Sequence, residues 1–280
     1  MRTIIIYEDK DIIVAHKPAG LATQTGRPGQ ADMVSELKNH LAISGQGAPY
    51  LGVVHRLDQP VEGLLVFGRN KAAASKLTGQ LQTGMLNKHY YAMVYVPGQQ
   101  VSRDKSVATE DGVYPGSLCG NLSGQTTELV DYMYKDKDNH AVVVTGQQHL
   151  YPEAKKAVLC YEVLSRASAS QSVEEEVQVT EVSAPGTEGR MNGGPVSVQM
   201  LDVCIETGRF HQIRAQLAHA GLPLLGDVKY GTEESMSYSR EKGIRNVALC
   251  AYRIRFRHPV TGKEMDFRIE PGNPAFHLQL

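Results

Sequence analysis

The chain has 280 residues, of which 41% are hydrophobic and 21% charged, so it is long enough for one large or two small globular domains. It has no apolar run near the ~20 residues of a membrane span and no apolar core of a signal peptide, which predicts a cytoplasmic protein without a membrane partner. The formal net charge of −1 gives no basic excess, so a nucleic-acid partner would require a basic face that acidic loops elsewhere offset.

Runs rich in β-branched, aromatic and other apolar residues predict strands along most of the chain. In chain order, these predicted strands are residues 3–7, 12–15, 63–67, 88–96, 141–144, 156–164, 196–205 and 251–257. The first two flank a polar turn and predict a hairpin.

Two segments have the spacing of amphipathic helices. The first begins at Asn70, a predicted N-cap, and ends near Gln82. The second extends from Phe210 to Ala220, and Gly221 follows it as a stop signal.

Loops are predicted at residues 24–30 and 44–49 and over much of 97–150. Residues 165–195 are rich in Ser, Glu and Gly without a sustained period, which predicts a flexible insertion. Strands outnumber helices and no βαβ rhythm is present, so the fold class predicted is α+β with a mainly antiparallel sheet.

The stretch His55-Arg56-Leu57-Asp58 lies between two apolar runs. Three interpretations stay open from these residues alone. Asp58 could cap a turn beside a surface arginine. It could be a catalytic carboxylate that needs a cationic partner to stay ionised. His55 and Asp58 could also be metal ligands, although Pro60 and the absence of other ligand clusters weaken this reading.

A second polar stretch follows a predicted strand and opens a helix. Its hydrogen-bonding side chains are Arg209, His211, Gln212 and Arg214. Free backbone N–H groups at a helix start also attract anions, so this turn could hold a phosphate or an acid. The alternative is a polar first turn with incidental charges.

A third stretch, Lys88-His89-Tyr90-Tyr91, opens a strand. One of its tyrosines could stack on a flat ligand such as a base, or it could be a packing residue of the sheet. The four cysteines are scattered and have no spacing typical of a zinc site.

Taken together, these stretches resemble the pseudouridine synthases of the RluA-like family, in the right order and over nearly the whole chain. The matching motifs are a KPxG turn at 17–20, HRLD at 55–58, K-x-Y at 88–90, GR-x-HQIR at 208–214, a G-x-P-x-x-GD-x-x-YG run at 221–231 and a closing segment at 249–259.

The resemblance implies a pseudouridine synthase fold, with residues 1–280 forming a single catalytic domain of two sub-lobes about a central cleft. It implies isomerisation of uridine to pseudouridine in ribosomal or transfer RNA, with no cofactor and no metal, by a protein expected to be a monomer. Asp58 would be the essential carboxylate, Arg214 its partner, and Tyr90 the ring against the target base. The sequence leaves open whether Asp58 attacks the uracil, attacks the ribose or removes a ribose proton.

The resemblance also implies contacts with RNA. Arg56 would help to displace the target base from its stack. The other residues expected to contact RNA or uridine are His55, Lys17, Lys88, Arg209, His211, Gln212 and Leu249. Alternation of Arg253, Arg255 and Arg257 predicts a basic face that binds RNA.

The chain departs from the family pattern at several positions. Val61-Glu62 stands where a Thr-Ser pair is usual, Phe210 where a small or polar residue is usual, and Cys250 where His is common. The chain also begins directly at the predicted hairpin, so we expect it to lack the small N-terminal RNA-binding domain of some relatives.

Two alternative functions remain. One is a catalytically silent protein that binds or folds RNA with the same cleft. The other is a hydrolase with Asp58 as nucleophile, which would need a second carboxylate as general acid, and Glu62 is the nearest candidate.

Overall fold

A computed structural model describes residues 2–27, 29–43, 48–97, 126–146, 148–168 and 197–278. The strands are β1 (Ile4–Glu8), β2 (Ile12–Lys17), β3 (Gly52–Val53), β4 (Glu62–Gly68), β5 (Asn87–Val96), β6 (Thr126–Lys135), β7 (Ala141–Val144), β8 (Lys155–Ser168), β9 (Ser197–Ile205), β10 (Leu249–Arg257) and β11 (Glu264–Arg268). The helices are α1 (Met33–Ile43), α2 (Lys71–Gln82), α3 (Gln212–His219) and α4 (Glu233–Glu241), with 3₁₀ turns at Gln148–Leu150 and Pro274–His277.

All these strands belong to one eleven-stranded sheet in the order β1-β2-β4-β10-β5-β9-β8-β6-β7, and β3 and β11 pair with β4 and β10. Every pairing is antiparallel except the one between β4 and β10. The predicted α+β class with a long, mixed and mainly antiparallel sheet is therefore confirmed.

The parallel pairing of β4 and β10 lies in the middle of the sheet and depends on a glycine. Gly63 lies opposite Ala251 and has φ +138°, a value that other residues avoid. A Cβ at Gly63 would lie 2.5 Å from the backbone nitrogen of Ala251. This close approach fixes β4, and with it the loop that carries Asp58, against β10.

The core forms where α1 and α3 pack against the sheet. Its largest cluster includes Leu37, Leu41, Leu65, Ile213 and Leu217, all buried. Each such side chain contributes about 1.5–3 kcal/mol of hydrophobic stabilisation when it leaves water. Both helices thus cover one face of the sheet, and α3 brings the arginine of the GR-x-HQIR motif to the end of β4.

Several predicted elements are confirmed at their expected places. The hairpin is present as β1 and β2. The Oδ1 atom of Asn70 accepts a hydrogen bond from the backbone N–H of Ala73 at 2.8 Å, as an N-cap does at the start of α2. The strand predicted at 63–67 is β4, which is buried along its whole length.

Five helices and strands were missed: α1, β3, β6, α4 and β11. For α1 the signal was present, because Met33, Leu37 and Leu41 have helical spacing and are buried. In α4 the buried residues are Ser235 and Ser239, so no apolar stripe marks it in the sequence.

Two boundaries also differ from the prediction. Helix α3 begins at Gln212 rather than Phe210, because His211 adopts a left-handed backbone with φ +50°. Strand β8 continues to Ser168 and so includes the start of the insertion predicted at 165–195. The rest of that insertion lies outside the described residues. Within the described ranges, the helices are all too short or too polar to cross a lipid bilayer.

Candidate active site

Asp58 lies on a loop that is clamped from one side by the turn after β2. The backbone N–H of Leu57 donates to Oγ1 of Thr23 at 3.2 Å, and that hydroxyl donates to the carbonyl of Leu57 at 3.0 Å. The carbonyl of Asp58 accepts from the N–H of Val61 at 3.1 Å and closes a turn directly before β4. These bonds fix the backbone on both sides of the carboxylate.

Lys17 also holds the loop of Asp58 in place. Its Nζ atom donates to the carbonyls of Leu21, Pro18 and Gln59 at 2.7, 3.1 and 3.1 Å, and the side chain is fully buried. Burial lowers the pKa of Lys17 to about 7, although the charge of Asp58 opposes the shift. The expected contact between Lys17 and RNA is not supported, because the amine donates to three backbone carbonyls and does not reach the surface.

Arg214 lies between two carboxylates. Its Nη1 atom donates to Oδ2 of Asp58 at 3.2 Å, and Nε and Nη2 donate to the two oxygens of Asp227 at 2.7 and 2.8 Å. Arg214 and Asp227 are both buried. Burial alone would lower the pKa of Arg214, but the hydrogen bonds and charge of Asp227 outweigh it and raise the pKa. The guanidinium is therefore a fixed positive charge beside Asp58.

Asp227 is itself held by its own loop. One of its oxygens accepts the backbone N–H groups of Lys229 and Tyr230 at 2.9 and 3.2 Å. Both residues belong to the GD-x-x-YG segment of the sequence, for which no role was predicted. The sequence indicates a turn-forming Asp here, but its pairing with Arg214 is a tertiary contact.

His211 also faces Asp58, and its tautomer follows from its neighbours. The hydroxyl of Tyr230 accepts the N–H of Ala141 at 2.8 Å and lies 2.8 Å from Nδ1 of His211. Since the hydroxyl already accepts one N–H, we assign it as the donor to Nδ1, which places the imidazole proton on Nε2. That atom is 3.6 Å from Oδ2 of Asp58. Asp58 thus faces two donors, one from Arg214 and one from His211.

Burial lowers the pKa of His211 to about 4; the charge of Asp58 opposes the shift and that of Arg214 adds to it. The folded protein therefore keeps His211 neutral over a pH range in which the unfolded chain, with the usual value of 6.5, takes up a proton. Unfolding free energy should be unaffected above pH 6.5 and should fall between pH 6.5 and about 4.

Because of the lowered pKa of His211, we expect the unfolding free energy to be about 2 kcal/mol smaller at pH 5 than at pH 7.5. Urea unfolding of His211→Gln at the two pH values should give a correspondingly smaller difference than the wild type. His219→Gln, at an exposed position of α3, is the control. Equal pH dependence in all three proteins would contradict the assignment. Burial also lowers the pKa of His55, so this residue too makes the unfolding free energy fall as the pH is lowered.

The carboxylate of Asp58, 28% exposed, opens into a cleft of about 520 Å³. Among the described residues that line this cleft, three have cationic side chains, Arg27, Arg56 and Lys135, and one is an acid, Asp58. Arg56 also borders an adjoining recess of about 330 Å³. A cleft with this excess of positive charge fits a polyanion despite the net charge of the chain.

A model of the family described as RNA pseudouridylate synthase matches residues 11–219. The chain belongs to this family. It is 30% identical over 276 residues to a protein of Aquifex aeolicus described as an uncharacterized RNA pseudouridine synthase, covering 95% of this chain and 68% of the relative.

Two further relatives carry ribosomal names. Ribosomal large subunit pseudouridine synthase D of Pasteurella multocida is 27% identical, with 94% of this chain and 65% of the relative covered. Ribosomal large subunit pseudouridine synthase C of Rickettsia typhi is 29% identical, with 93% and 65% covered. The chain thus spans about two thirds of the length of these relatives.

Two solved human structures have the same fold. Human RNA Pseudouridylate Synthase Domain Containing 4 superposes with a TM-score of 0.62 at 20% identity, covering 98% of this chain and 90% of that one. Human RNA Pseudouridylate Synthase Domain Containing 1 gives a TM-score of 0.63 at 17% identity, with 98% and 85% covered. The pseudouridine synthase fold is therefore confirmed.

Tyr90 and Leu249, two of the residues named from the family motifs, lie in the hydrophobic core next to the loop of Asp58. Both are buried in the main core cluster, which also contains Leu57 and Ile213. Burial raises the pKa of Tyr90, and the negative charge of Asp58 adds to the shift, so the phenol stays protonated. Neither residue lines the cleft, so their expected contact with the target base stays a prediction.

His55 and Lys88 are two further residues that were expected to contact RNA. The Nε2 atom of buried His55 accepts the backbone N–H of Val66 at 3.4 Å. Burial lowers the pKa of His55 well below its usual value, and the nearby charge of Lys88 adds to this shift. Lys88 is half-buried, and burial lowers its pKa to about 8. His55 lines the recess, whereas Lys88 lines neither the recess nor the cleft.

Arg209 and Gln212 connect the start of α3 to β8. Nε of Arg209 donates to the carbonyl of Lys156 at 2.8 Å, and Nε2 of Gln212 donates to that of Val158 at 3.1 Å. Oε1 of Gln212 also accepts the backbone N–H of Arg209 at 2.9 Å. Hence these residues orient α3, and through it Arg214, but they do not line the cleft.

Glu62 does not lie in the cleft. Its carboxylate is buried and accepts the backbone N–H groups of Gly272 and Asn273 at 3.1 and 2.9 Å. This candidate general acid of the hydrolase alternative therefore holds the segment after β11 and does not face Asp58 across the cleft. Cys250, its register partner on β10, is a buried free thiol.

The arginine face predicted on β10 is largely neutralised by β11. Arg253 makes two hydrogen bonds to Asp266, at 2.9 and 2.6 Å, and Arg257 lies 4.0 Å from Glu264. The missed strand supplies both acids. This face is consequently weaker support for RNA binding than the cleft.

Among the described residues, Asp9, Asp11 and His258 come close enough together to be considered as metal ligands. Nδ1 of His258 accepts two backbone N–H groups, from Val260 and Thr261, so Nε2 carries the proton that faces Asp9 at 2.9 Å. Both nitrogens of the imidazole are therefore used, and the cluster is explained as a structural hydrogen-bond network.

Proposed function

We propose that this protein is an RNA pseudouridine synthase, in which Asp58 is the essential catalytic carboxylate. The observation that carries the proposal is the position of Asp58: on a clamped loop, bonded to a buried arginine, at the wall of a cationic cleft. The family of the chain gives the reaction, and the geometry supports the assignment of the acid.

The reaction moves one bond within a nucleotide. The C1′–N1 bond of uridine breaks, the uracil turns, a C1′–C5 bond forms, the hydrogen on C5 leaves as a proton and N1 takes up a proton. No net oxidation occurs. An acid that attacks the uracil, attacks C1′ or removes a ribose proton must in each case act as an anion, and Arg214 donates a hydrogen bond to the carboxylate of Asp58.

Preorganisation of the donors around Asp58 supports catalysis rather than binding alone. Arg214 is held by Asp227 and His211 by Tyr230, so both side chains are held in place around the carboxylate of Asp58 before a substrate binds. RNA binding without chemistry would require neither of these two contacts. This favours an enzyme over the silent RNA-binding alternative.

The substrate we propose is ribosomal RNA, in line with the names of the relatives, with transfer RNA as the second candidate. Arg56 is exposed where the cleft meets the recess, a place from which a planar guanidinium could fill the gap left by a displaced base. Tyr90 and Leu249 would then support the displaced uracil. We further propose that the protein is a cytoplasmic monomer that uses no cofactor or metal.

The test is release of tritium from RNA labelled at uracil C5, with bulk ribosomal and transfer RNA as separate substrates. Release from ribosomal RNA is the expected result, because the new carbon–carbon bond must expel the C5 hydrogen. Release from transfer RNA alone would replace the proposed substrate, and no release from either would refute the proposed activity.

The hydrolase alternative makes a different prediction for Glu62. We expect Glu62→Gln to release tritium at a rate within about twofold of the wild type, because its carboxylate faces the backbone of residues 272–273. Its unfolding free energy should fall by about 1–3 kcal/mol through weakened hydrogen bonds to a charged group. Loss of activity without loss of stability would instead favour a role as general acid.

A further inference from the structure

Phe210 is the one aromatic side chain among the described residues that line the main cleft. Its side chain is 38% exposed, although Phe usually buries its ring.

The backbone holds the ring in a defined orientation. His211 adopts a left-handed conformation, with φ +50°, which residues other than Gly avoid. This turn stacks the ring of Phe210 on the imidazole, with centroids 3.8 Å apart and planes 20° apart. The imidazole is fixed by Tyr230, so the phenyl ring has one face packed on a rigid support.

The amine of Lys135, an exposed residue, lies over the opposite face. Nζ of Lys135 lies 4.7 Å from the centroid of Phe210, and the imidazole leaves no room for it on the packed face. A cation–π contact at an exposed site is weaker than the stacking of a nucleobase on an aromatic ring. A base can therefore displace the amine, which is then free to contact a phosphate.

We propose that Phe210 and Lys135 form a stacking subsite for an unpaired nucleobase next to the target uridine in single-stranded RNA. The inference rests on the proposed function, because it takes the uridine to lie at Asp58 on the wall of the same cleft. Stacking of this kind tolerates any base, so the subsite selects for unpaired RNA rather than for a sequence.

Fluorescence anisotropy with two short single-stranded RNAs tests the subsite. Both contain one central uridine; in one it is flanked by adenosines, and in the other its two neighbours are abasic. We expect wild type to bind the first RNA about tenfold more tightly, the effect of one base–aromatic stack. Phe210→Leu should lose this preference, and Phe210→Tyr should keep it because the ring remains.

Tyr151→Leu is the matched control. Tyr151 is 38% exposed and stacks on Tyr134 at 5.5 Å, but it does not line the cleft. It should bind both RNAs as the wild type does. Equal binding of the two RNAs by wild type, or a full preference retained in Phe210→Leu, would overturn the inference.

The proposed function is judged by a separate result, tritium release by wild type from ribosomal RNA. Release together with a preference for flanking bases that Phe210→Leu retains would refute the subsite alone. Absence of release would refute the activity even if the short RNAs bind as expected.

Discussion

Substitution of Asp58 by Asn is expected to reduce tritium release by more than about 10³-fold, because the amide cannot act as an anion in any of the three routes. Binding of RNA and thermal stability should stay close to those of wild type, since the side chain is 28% exposed and Asn keeps its shape. Single-turnover tritium release and RNA anisotropy on the same preparation give both quantities.

A matched control is Asp138→Asn, which changes an exposed carboxylate in the turn between β6 and β7. It should retain full activity. Substantial release by Asp58→Asn would refute the catalytic role of Asp58. Loss of both release and RNA binding would show that the residue serves to bind RNA, and would not support a chemical role.

Substitution of Asp227 is expected to lower both stability and activity strongly, because this residue pairs with Arg214 through two hydrogen bonds in the interior. Replacing Asp227 by Ala leaves the buried guanidinium with Asp58 as its one carboxylate partner among the described residues. We expect the unfolding free energy to fall by about 3–5 kcal/mol. Catalysis should also be lost, because Arg214 would no longer be held beside Asp58.

The chain contains its own comparison for this experiment. Arg253 and Asp266 make the same kind of double hydrogen bond, but Asp266 is 41% exposed. Asp266→Ala should cost at most about 1 kcal/mol. Urea unfolding of both variants measures the difference. A similar cost for the two would contradict the assigned importance of burial, and Asp227→Asn, which keeps the side-chain volume, serves if the Ala variant does not fold.

The acid and its main partner could be anticipated from the sequence because each lies in a short motif with a distinctive order. The HRLD and GR-x-HQIR segments predicted Asp58 and Arg214, and the structure joins them by a hydrogen bond of 3.2 Å. The strands were predictable for a similar reason. A strand such as β4 is buried on both faces, so its residues form a continuous apolar run in the sequence.

Other parts of the site depend on contacts that no local pattern encodes. Lys17 was expected to contact RNA because it is basic and lies in a family turn, but three carbonyls surround its amine. Asp227 was missed because a Gly-Asp turn does not reveal which cation it faces. The role of Tyr230 depends on the N–H of Ala141, a residue 89 positions away.

The parallel pairing of β4 and β10 has a consequence for synthesis of the protein. Strands β4 and β5 are close in sequence, yet β10 lies between them in the sheet. A nascent chain that has not reached residues 249–257 therefore has two strands whose neighbour does not yet exist, and each has an open edge prone to aggregation. The loop of Asp58 would be without its final support during that interval, so RNA should meet a competent site only after β10 has been made and inserted.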